Sequence, residues 1–262
     1  MSKDNKKIKY VKKLVCNGNF LKKEKNFVVE GFRLCKDAYL NNVIIKELYY
    51  TDDAIKKFSD KLEEIINYAK NSYKISEDIL KSISATKTPQ GILCVCEKLD
   101  KHFSMNTINN VGKFILLENI QDPANMGTIL RTSEALGINF VVLSSGCCDI
   151  YNAKVLRASM GAIFRVNVLF CDDICKVIKD LQGKNIKTYA TVPDSSAKSI
   201  LDVDLKENAA VVIGNEGNGL SQSVIEVCDE KITIPMLSCA ESLNAAMAAG
   251  IFMWEMMRGS RE

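Results

Sequence analysis

Apolar positions in the second half of the chain occur in short runs, and each run ends at polar or glycine-rich residues. We predict strands over 114–119, 140–145, 165–170, 186–191, 209–214 and 231–235, separated by stretches with helical spacing or by loops. Apolar runs that alternate with helices are typical of a mainly parallel sheet covered on both faces. The last helical stretch, 242–258, is nearly all apolar, which predicts burial in the core or against another subunit.

The first half has a different pattern. It predicts a basic helix over 5–16, strands over 27–31, 43–50 and 91–97, a helix over 32–42 and a single amphipathic helix over 52–70. A polar, Asn-rich stretch, 98–113, follows, and we place the domain boundary within it. The pattern therefore predicts a small α/β domain over 1–105 and a larger α/β domain over 106–262.

Charge divides the chain at the same place. The net charge of the 262 residues is +3, but residues 1–105 carry 21 Lys/Arg against 14 Asp/Glu, and the remainder carries 14 against 18. A basic half favours contact with a polyanion such as RNA, although a solvated lysine-rich surface has the same composition. Our candidate RNA contacts in this half are Lys6, Lys7, Lys9, Lys12 and Lys13.

Composition also argues against several classes of protein. No apolar run has the length of a membrane span, and the Lys-rich start lacks a signal-peptide core, so we expect a cytoplasmic protein without a membrane partner. The ten cysteines form no C-x-x-C pair, and His102 is the single histidine. We therefore expect no metal site, and buried thiols in a reducing compartment.

The loop after the predicted strand 209–214 has an unusual composition for a ligand site. The sequence AAVVIGNEGNGLS (209–221) spaces its glycines G-x-x-G-x-G, which is neither the dinucleotide fingerprint nor a P-loop. Glu216 lies in the turn and would repel a pyrophosphate. The ligand is then neutral or cationic, or binds through backbone groups. The alternative is an ordinary turn that needs glycine for a positive φ.

Two other strand ends carry polar residues. In 116–138 a helix is expected to begin near Asn125, which is either functional or only an N-cap, and Arg131 is either functional or paired with Glu134. In 234–255 a polar loop carrying Ser238, Glu241, Ser242 and Asn244 precedes the apolar helix. A dehydrogenase would need G-x-G-x-x-G after the first strand, and ENIQDPANMG does not supply it.

Four segments in this order resemble the SpoU (TrmH-type) family of RNA 2′-O-ribose methyltransferases, in the SPOUT superfamily. They are QDPANMGTILRTSEALG, KVLRASMGAIFRV, VVIGNEGNGLS and IPMLSCAESLNAAMAAGI. The first half resembles the accessory substrate-binding domain of the family, a ribosomal-protein-like α/β module, through FVVEGFRLCKDA and SISATKTPQGILCV. The family usually has a small residue, commonly Gly, near position 238, whereas the loop after Pro235 reads Met-Leu-Ser-Cys in this chain.

The resemblance implies a trefoil-knotted C-terminal domain, S-adenosylmethionine bound in the knot, and a homodimer with its active site at the interface. A sulfonium nucleoside has no phosphate and tolerates a nearby carboxylate, so it suits the loop with Glu216. The residues that correspond to cofactor-binding positions, with their neighbours, are Gly214, Asn215, Gly219, Ile234, Met236 and Leu243. The residues that correspond to the polar catalytic set are Asn125, Arg131, Glu216, Ser242 and Asn244, and Arg157 is an added RNA contact.

The implied reaction is methyl transfer to a ribose 2′-hydroxyl, which is a poor nucleophile and needs a base or electrostatic help. Because arginine stays protonated, we expect Arg131 to hold an RNA phosphate through two hydrogen bonds, while the phosphate or Glu216 assists loss of the proton. The basic domain suggests 23S rRNA as the substrate. The alternatives are a tRNA substrate, and a catalytically inactive RNA-binding knot protein.

Overall fold

A computed structural model of the chain describes residues 1–99, 108, 112–237 and 242–258. The chain packs as two compact units. Unit 1 contains residues 1–99 and 149–165, and unit 2 contains the described residues of 100–148 and 166–262. The predicted boundary at 105 and His102 lie outside the described residues, and the two predicted domains stay a prediction. The segment 149–165 packs with the first half, which no change of composition had indicated.

Unit 1 is a small α/β unit. Its strands are β1 (Asn26–Glu30), β2 (Ile45–Tyr50), β3 (Ser72–Lys74) and β4 (Ile92–Glu97). Its helices from the first half are α1 (Lys6–Cys16), α2 (Gly18–Lys23), α3 (Phe32–Leu40), α4 (Asp52–Phe58), α5 (Asp60–Tyr68) and α6 (Glu77–Ile83). The sheet order is β1-β4-β2-β3, antiparallel except between β2 and β3. The short elements α2, β3 and α6 had no clear pattern in the sequence.

The single helix predicted over 52–70 is wrong, because the chain breaks at Ser59. This residue has φ 44° and ψ −129°, a conformation that strains any residue with a side chain. The hydroxyl of Thr51 caps α4 by accepting the N–H of Ala54 at 3.3 Å. Because the apolar spacing continues on both sides of Ser59, the pattern by itself could not reveal the break.

The second half of the chain supplies seven more strands and five more helices among the described residues. The strands are β5 (Lys113–Leu117), β6 (Phe140–Ser144), β7 (Val168–Cys171), β8 (Lys187–Thr191), β9 (Lys198–Ser199), β10 (Ala209–Ile213) and β11 (Glu230–Thr233). The helices are α7 (Pro123–Ala135), α8 (Ala153–Ser159), α9 (Ile174–Gln182), α10 (Gln222–Val227) and α11 (Ala245–Met257). All six predicted strands are present, and the two-residue β9 is an addition.

Helix α8 and its flanks complete the core of unit 1. The ring of Tyr151 lies 4.6 Å from that of Phe27 on β1, and its hydroxyl accepts the N–H of Leu99 at 2.8 Å. Val155 and Leu156 on α8 are buried. These apolar side chains explain why the segment stays with unit 1, since leaving them in water would cost about 1.5–3 kcal/mol each.

Unit 2 is built on a seven-stranded sheet of order β7-β6-β5-β10-β8-β11-β9, in which every neighbouring pair is parallel. The predicted parallel α/β architecture is confirmed. Every residue of β10 is buried, as expected of a central strand covered on both faces. In such a sheet ligands bind beyond the carboxyl ends of the strands. The trefoil knot stays a prediction.

The described cysteines are all free. Five are buried, three are half-buried, and Cys16 is exposed, so the prediction of buried thiols is wrong for Cys16. In the part of the chain that the structure describes, no group of three or more His, Cys, Asp or Glu side chains could hold a metal ion. None of the described helices is long and apolar enough to cross a membrane.

Candidate functional site

A cleft of about 360 Å³ lies at one edge of the unit 2 sheet. Its walls come from the segments that leave β8, β10 and β11, three strands that are neighbours in the sheet, and from the start of α11. Because parallel strands present their carboxyl ends at the same edge, segments far apart in sequence meet there. The predicted cofactor-binding residues all line this cleft: Gly214, Asn215, Gly219, Ile234, Met236 and Leu243.

Gly214 lets the loop after β10 fold back on itself. A Cβ at this position would lie 2.3 Å from the carbonyl carbon of Gly219 and 2.5 Å from the nitrogen of Leu220. The loop is closed by two backbone hydrogen bonds of 3.0 Å between Asn215 and Gly219, one in each direction. Gly219 has φ 67°, which glycine adopts readily. Gly214 therefore cannot be replaced by a residue with a side chain, because the backbone of Gly219 and Leu220 occupies the space that its Cβ would need.

Glu216 ties this loop to the segment after β5. Its carboxylate accepts the backbone N–H groups of Gln121 at 3.3 Å and Asp122 at 3.2 Å, and the side-chain amide of Asn125 at 2.9 Å. Burial by itself would raise the pKa of Glu216, but the hydrogen bonds from Asn125 and from backbone N–H groups outweigh it and lower the pKa. Glu216 is therefore ionised at neutral pH.

The hydrogen bonds continue from Asn125 to the third segment. Asn244 donates its side-chain amide to Asn125 Oδ1 at 2.9 Å, while its own Oδ1 caps α11 by accepting the N–H groups of Ala246 and Met247. The chain Glu216–Asn125–Asn244 thus joins three loops that the sequence had identified separately. The interpretation of Asn125 as an N-cap is wrong, because Asp122 caps α7.

A buried carboxylate, Glu118, supports the same loop and was missed in the sequence. It accepts the backbone N–H of Ser221 at 2.8 Å and the Ser221 hydroxyl at 2.7 Å, and only 6% of the residue is exposed. Its position at the end of an apolar strand could have identified Glu118 from the sequence. A charged side chain is buried there only when it is hydrogen-bonded, so a partner is expected. Glu118 holds the far end of the loop that begins at Gly214.

The remaining predicted catalytic residues lie outside this hydrogen-bond chain. Ser242 lines the cleft and is exposed. Arg131 is exposed on α7 and does not line the cleft. It has no hydrogen-bond or ion-pair partner among the described residues, so the surface pair with Glu134 is not formed.

The predicted RNA-binding residues all belong to unit 1. Lys7 contacts the carboxylate of Glu47, and Lys9 lies 2.9 Å from Asp4. The ammonium of Lys13 lies 5.7 Å from the centre of the Phe20 ring. The other three, Lys6, Lys12 and Arg157, are exposed. Arg157 belongs to α8, which packs with the first half of the chain in unit 1.

The cleft has the electrostatic character that the loop sequence predicts. Glu216 is the one charged residue among the described residues that line it, and no Lys, Arg or His does. A phosphate would meet an ionised carboxylate and no cation, whereas a neutral or cationic group meets no penalty. Backbone groups and apolar side chains such as Ile234, Leu243 and Phe252 form most of the wall, which suits a nucleoside.

Comparisons with known proteins agree with this geometry. Residues 112–254 match the SpoU rRNA Methylase family and residues 5–94 match the MRM3-like substrate binding domain. The 23S rRNA (guanosine(2553)-2′-O)-methyltransferase RlmP of Bacillus subtilis (strain 168) is 32% identical over 259 residues, 97% of this chain and 97% of that protein. A solved TrmH-family protein from Porphyromonas gingivalis is 28% identical, with a TM-score of 0.84, over 98% of this chain and 99% of that one.

A second solved structure shares the fold. The SpoU methyltransferase AviRb from Streptomyces viridochromogenes, in complex with AdoMet, has a TM-score of 0.86 at 24% identity and covers 98% of both chains. The family match spans more than half of the chain and includes every residue of the Glu216–Asn125–Asn244 chain. This protein belongs to the SpoU rRNA methylase family.

Proposed function

We propose that this protein is an S-adenosylmethionine-dependent RNA methyltransferase that acts on a ribose 2′-hydroxyl of 23S rRNA. The observation that carries the proposal is the Glu216–Asn125–Asn244 hydrogen-bond chain, which ties the loop after β10 and the start of α11, both at the cleft, to the segment after β5. Among the described residues that line this cleft, none is basic. Family membership supports methyl transfer, and the name of the Bacillus subtilis relative supports the rRNA substrate. The protein acts in the cytoplasm, where ribosomal RNA is made and modified.

The cleft in unit 2 fits the cofactor. Backbone groups of the loop from Gly214 to Gly219 and of Ile234 would hold the adenosine, with Leu243 and Met236 as apolar walls. Bound there, S-adenosylmethionine supplies the electrophilic methyl group. The ionised carboxylate of Glu216 favours a positively charged ligand, and the absence of lining cations among the described residues disfavours a nucleotide phosphate.

Glu216 positions the loop and is not the base of the reaction. Several N–H donors share its carboxylate, and its pKa is lowered, so it has little tendency to accept a proton at neutral pH. Asn125 and Asn244 are positioning residues in the same chain of contacts. The hydroxyl of Ser242 lies at the exposed rim of the cleft, where it can donate a hydrogen bond to the ribose.

Arg131 holds the RNA backbone. Its guanidinium is exposed and has no partner among the described residues, so its donors are available to a phosphate. A planar guanidinium can bind two phosphate oxygens at once, which orients the adjoining ribose. Because Glu216 and an arginine-bound phosphate are both weak proton acceptors, we assign to Arg131 the alignment of the hydroxyl with the methyl group, and the released proton passes to solvent. RNA affinity comes from unit 1, through its lysines.

The active form is a homodimer. Helix α11 buries Phe252 and Met253, yet Met247 and Trp254 on another face are 61% and 55% exposed. Leu237, beyond β11, is fully exposed. Met247 and Trp254 are seven residues apart on α11 and so share one face of this helix, and exposed apolar side chains on one face mark an interaction site. Because the chain contains a single tryptophan, the emission of Trp254 on dilution reports the interface directly.

The function is tested by transfer of a tritiated methyl group from S-adenosylmethionine to an unmodified 23S rRNA transcript, followed by mass-spectrometric mapping. We expect one labelled ribose, and a loss of turnover of about 100-fold in Arg131→Lys, which keeps the charge but loses the two-pronged contact. Arg33→Lys, at another exposed arginine, is the matched control. Labelling of tRNA alone would favour the tRNA alternative, and cofactor binding without any labelling would favour the inactive RNA-binding protein.

A further inference from the structure

Unit 1 contains a second pocket, of about 470 Å³, that the catalytic proposal does not use. Four lysines line it: Lys6 and Lys7 from α1, Lys46 from β2, and Lys70 from the segment before β3. We propose that this pocket binds one nucleotide of the RNA substrate, phosphate and base together, other than the nucleotide that is methylated. The proposal rests on the proposed function, because it takes RNA as the ligand.

Two of the lysines are paired with carboxylates: Lys7 contacts Glu47, and the ammonium of Lys46 lies 3.4 Å from the carboxylate of Glu97. Glu47 is the one carboxylate among the described residues that line the pocket. Lys7 also lies 4.9 Å from the centre of the Tyr73 ring. Glu47 also accepts the hydroxyl of Tyr49 at 2.5 Å. Lys7 balances the charge of Glu47, and Lys46 balances that of Glu97, so Lys6 and Lys70 give an anion entering the pocket a net positive field.

The backbone positions Lys46 at the pocket, and Lys6 and Lys70 supply its unpaired charge. Lys46 lies at a bulge, where the pairing of β2 with β4 shifts between Ile45 and Glu47. Bulges redirect side chains and are common beside binding sites. The backbone oxygen of Lys46 accepts the side-chain amide of Asn71 at 3.3 Å. Lys6 and Lys70 are exposed, and their ammonium groups have no hydrogen-bond or ion-pair partner within the described ranges, so both are available to a phosphate.

Polar groups beside the lysines favour a nucleotide over a bare phosphate. Asn26 lines the pocket and donates its amide to the hydroxyl of Tyr10 at 2.8 Å, but its buried Oδ1 has no hydrogen-bond partner in the described structure. A buried unpaired acceptor is rare and calls for a donor. An ionised phosphate has no hydrogen-bond donor at neutral pH, whereas a nucleobase or a ribose hydroxyl can donate a hydrogen bond to Asn26 Oδ1.

The test is RNA binding by the full chain without cofactor, using an unmodified bacterial 23S rRNA transcript at several salt concentrations. We expect Lys6→Gln with Lys70→Gln to weaken binding about tenfold at moderate salt and to lower the slope of log affinity against log salt by about two. The matched control, Lys22→Gln with Lys23→Gln, removes the same charge from α2 outside the pocket and should change both quantities much less. Asn26→Leu should weaken binding without changing the salt slope.

Further measurements separate the possible outcomes. In methyl transfer the pocket variant should raise KM for RNA while leaving kcat and cofactor affinity unchanged, and it should bind RNA more weakly even if the wild-type chain methylates no RNA. Equal effects of the pocket and control variants would overturn the proposal, because diffuse charge would then explain binding. Tight binding of guanosine monophosphate, lost in the pocket variant, would also overturn it by identifying a free-nucleotide site.

Discussion

The two units of this protein offer ligands opposite environments. The cleft of unit 2 lies at the carboxyl ends of parallel strands. The described residues that line it offer backbone groups, apolar and neutral polar side chains, and one carboxylate, Glu216. The pocket of unit 1 lies beside a mostly antiparallel sheet and is lined by four lysines. The first environment selects by shape and excludes phosphate, and the second attracts it.

The difference teaches that the two sites should fail in different ways. A site made by close approach of backbone is sensitive to one added atom and insensitive to salt. A site made by lysines tolerates changes of shape but loses affinity as salt rises or as charges are removed. The proposed reaction needs both, because S-adenosylmethionine has no phosphate and RNA has one at every nucleotide.

The sharpest test of the comparison is Gly214→Ala. The new Cβ would lie 2.3 Å from a backbone carbon, so the loop must move and the cleft must change shape. We expect affinity for S-adenosylhomocysteine to fall by about 100-fold in calorimetry, since backbone atoms cannot yield as a side chain would. Gly183→Ala is the control in the same unit, because its Cβ would meet its nearest atom at an ordinary 3.5 Å. Equal affinities of the two variants would contradict the role of Gly214.

The next largest effect is expected for Glu118→Ala. This change leaves the N–H and hydroxyl of Ser221 without their buried acceptor, and we expect the free energy of unfolding to drop by about 2–3 kcal/mol. Cofactor affinity should fall as well, because the loop loses one of its supports. Glu226→Ala, at an exposed position in α10, should change the unfolding free energy by less than about 0.5 kcal/mol. Denaturant titration of both variants checks the difference.

A smaller effect of opposite sign is expected in unit 1 for Ser59→Gly. Glycine adopts the φ of 44° without strain, so the variant should be more stable by about 1 kcal/mol even though its unfolded chain is more flexible. Cofactor affinity in unit 2 should not change. Thermal unfolding and calorimetry on the same sample measure both quantities. A destabilised variant would show that the break between α4 and α5 is not a strained turn.

The smallest expected effect is that of Lys12→Gln with Lys13→Gln on α1, outside the lysine pocket. We expect KM for RNA to rise about threefold at low salt and the difference to vanish at high salt, with cofactor affinity unchanged. If this effect were as large as that of the Lys6 and Lys70 variant, the pocket would contribute no more to RNA binding than any other part of a uniformly basic surface. Charge variants are preferable to deletion of residues 1–105, because deletion would expose Tyr151, Val155 and Leu156 of the segment left behind.

The residues that the sequence predicts to bind the cofactor come together in the structure, whereas the predicted boundaries of the helices are less accurate. The cleft lining includes every predicted cofactor residue, because glycines and polar residues that follow apolar runs necessarily gather at one sheet edge. The break at Ser59 and the cap at Asp122 show what the apolar pattern does not predict. Whether a helix breaks or is capped depends on a single dihedral angle or a single hydrogen bond, which apolar spacing does not encode.

Glu118 and the lysine pocket show a second limit. Neither belongs to a local pattern: Glu118 meets Ser221, 103 residues away, and the pocket gathers lysines from three separate segments. The same holds for the segment 149–165, which lies among residues of unit 2 in sequence but packs with unit 1. A boundary drawn along the sequence could not place it.

The sequence by itself determined the alternation of strands and helices, the order of the family motifs and the kind of ligand that Glu216 allows, because each of these depends on neighbouring residues. Only the tertiary structure decided that Glu216, Asn125 and Asn244 form one hydrogen-bond chain, that Gly214 has no room for a side chain, and which lysines share a pocket. The hydrogen-bond chain and the pocket join residues tens of positions apart, and Gly214 meets Gly219 only because the loop turns back on itself. The path of the folded backbone sets all of these distances.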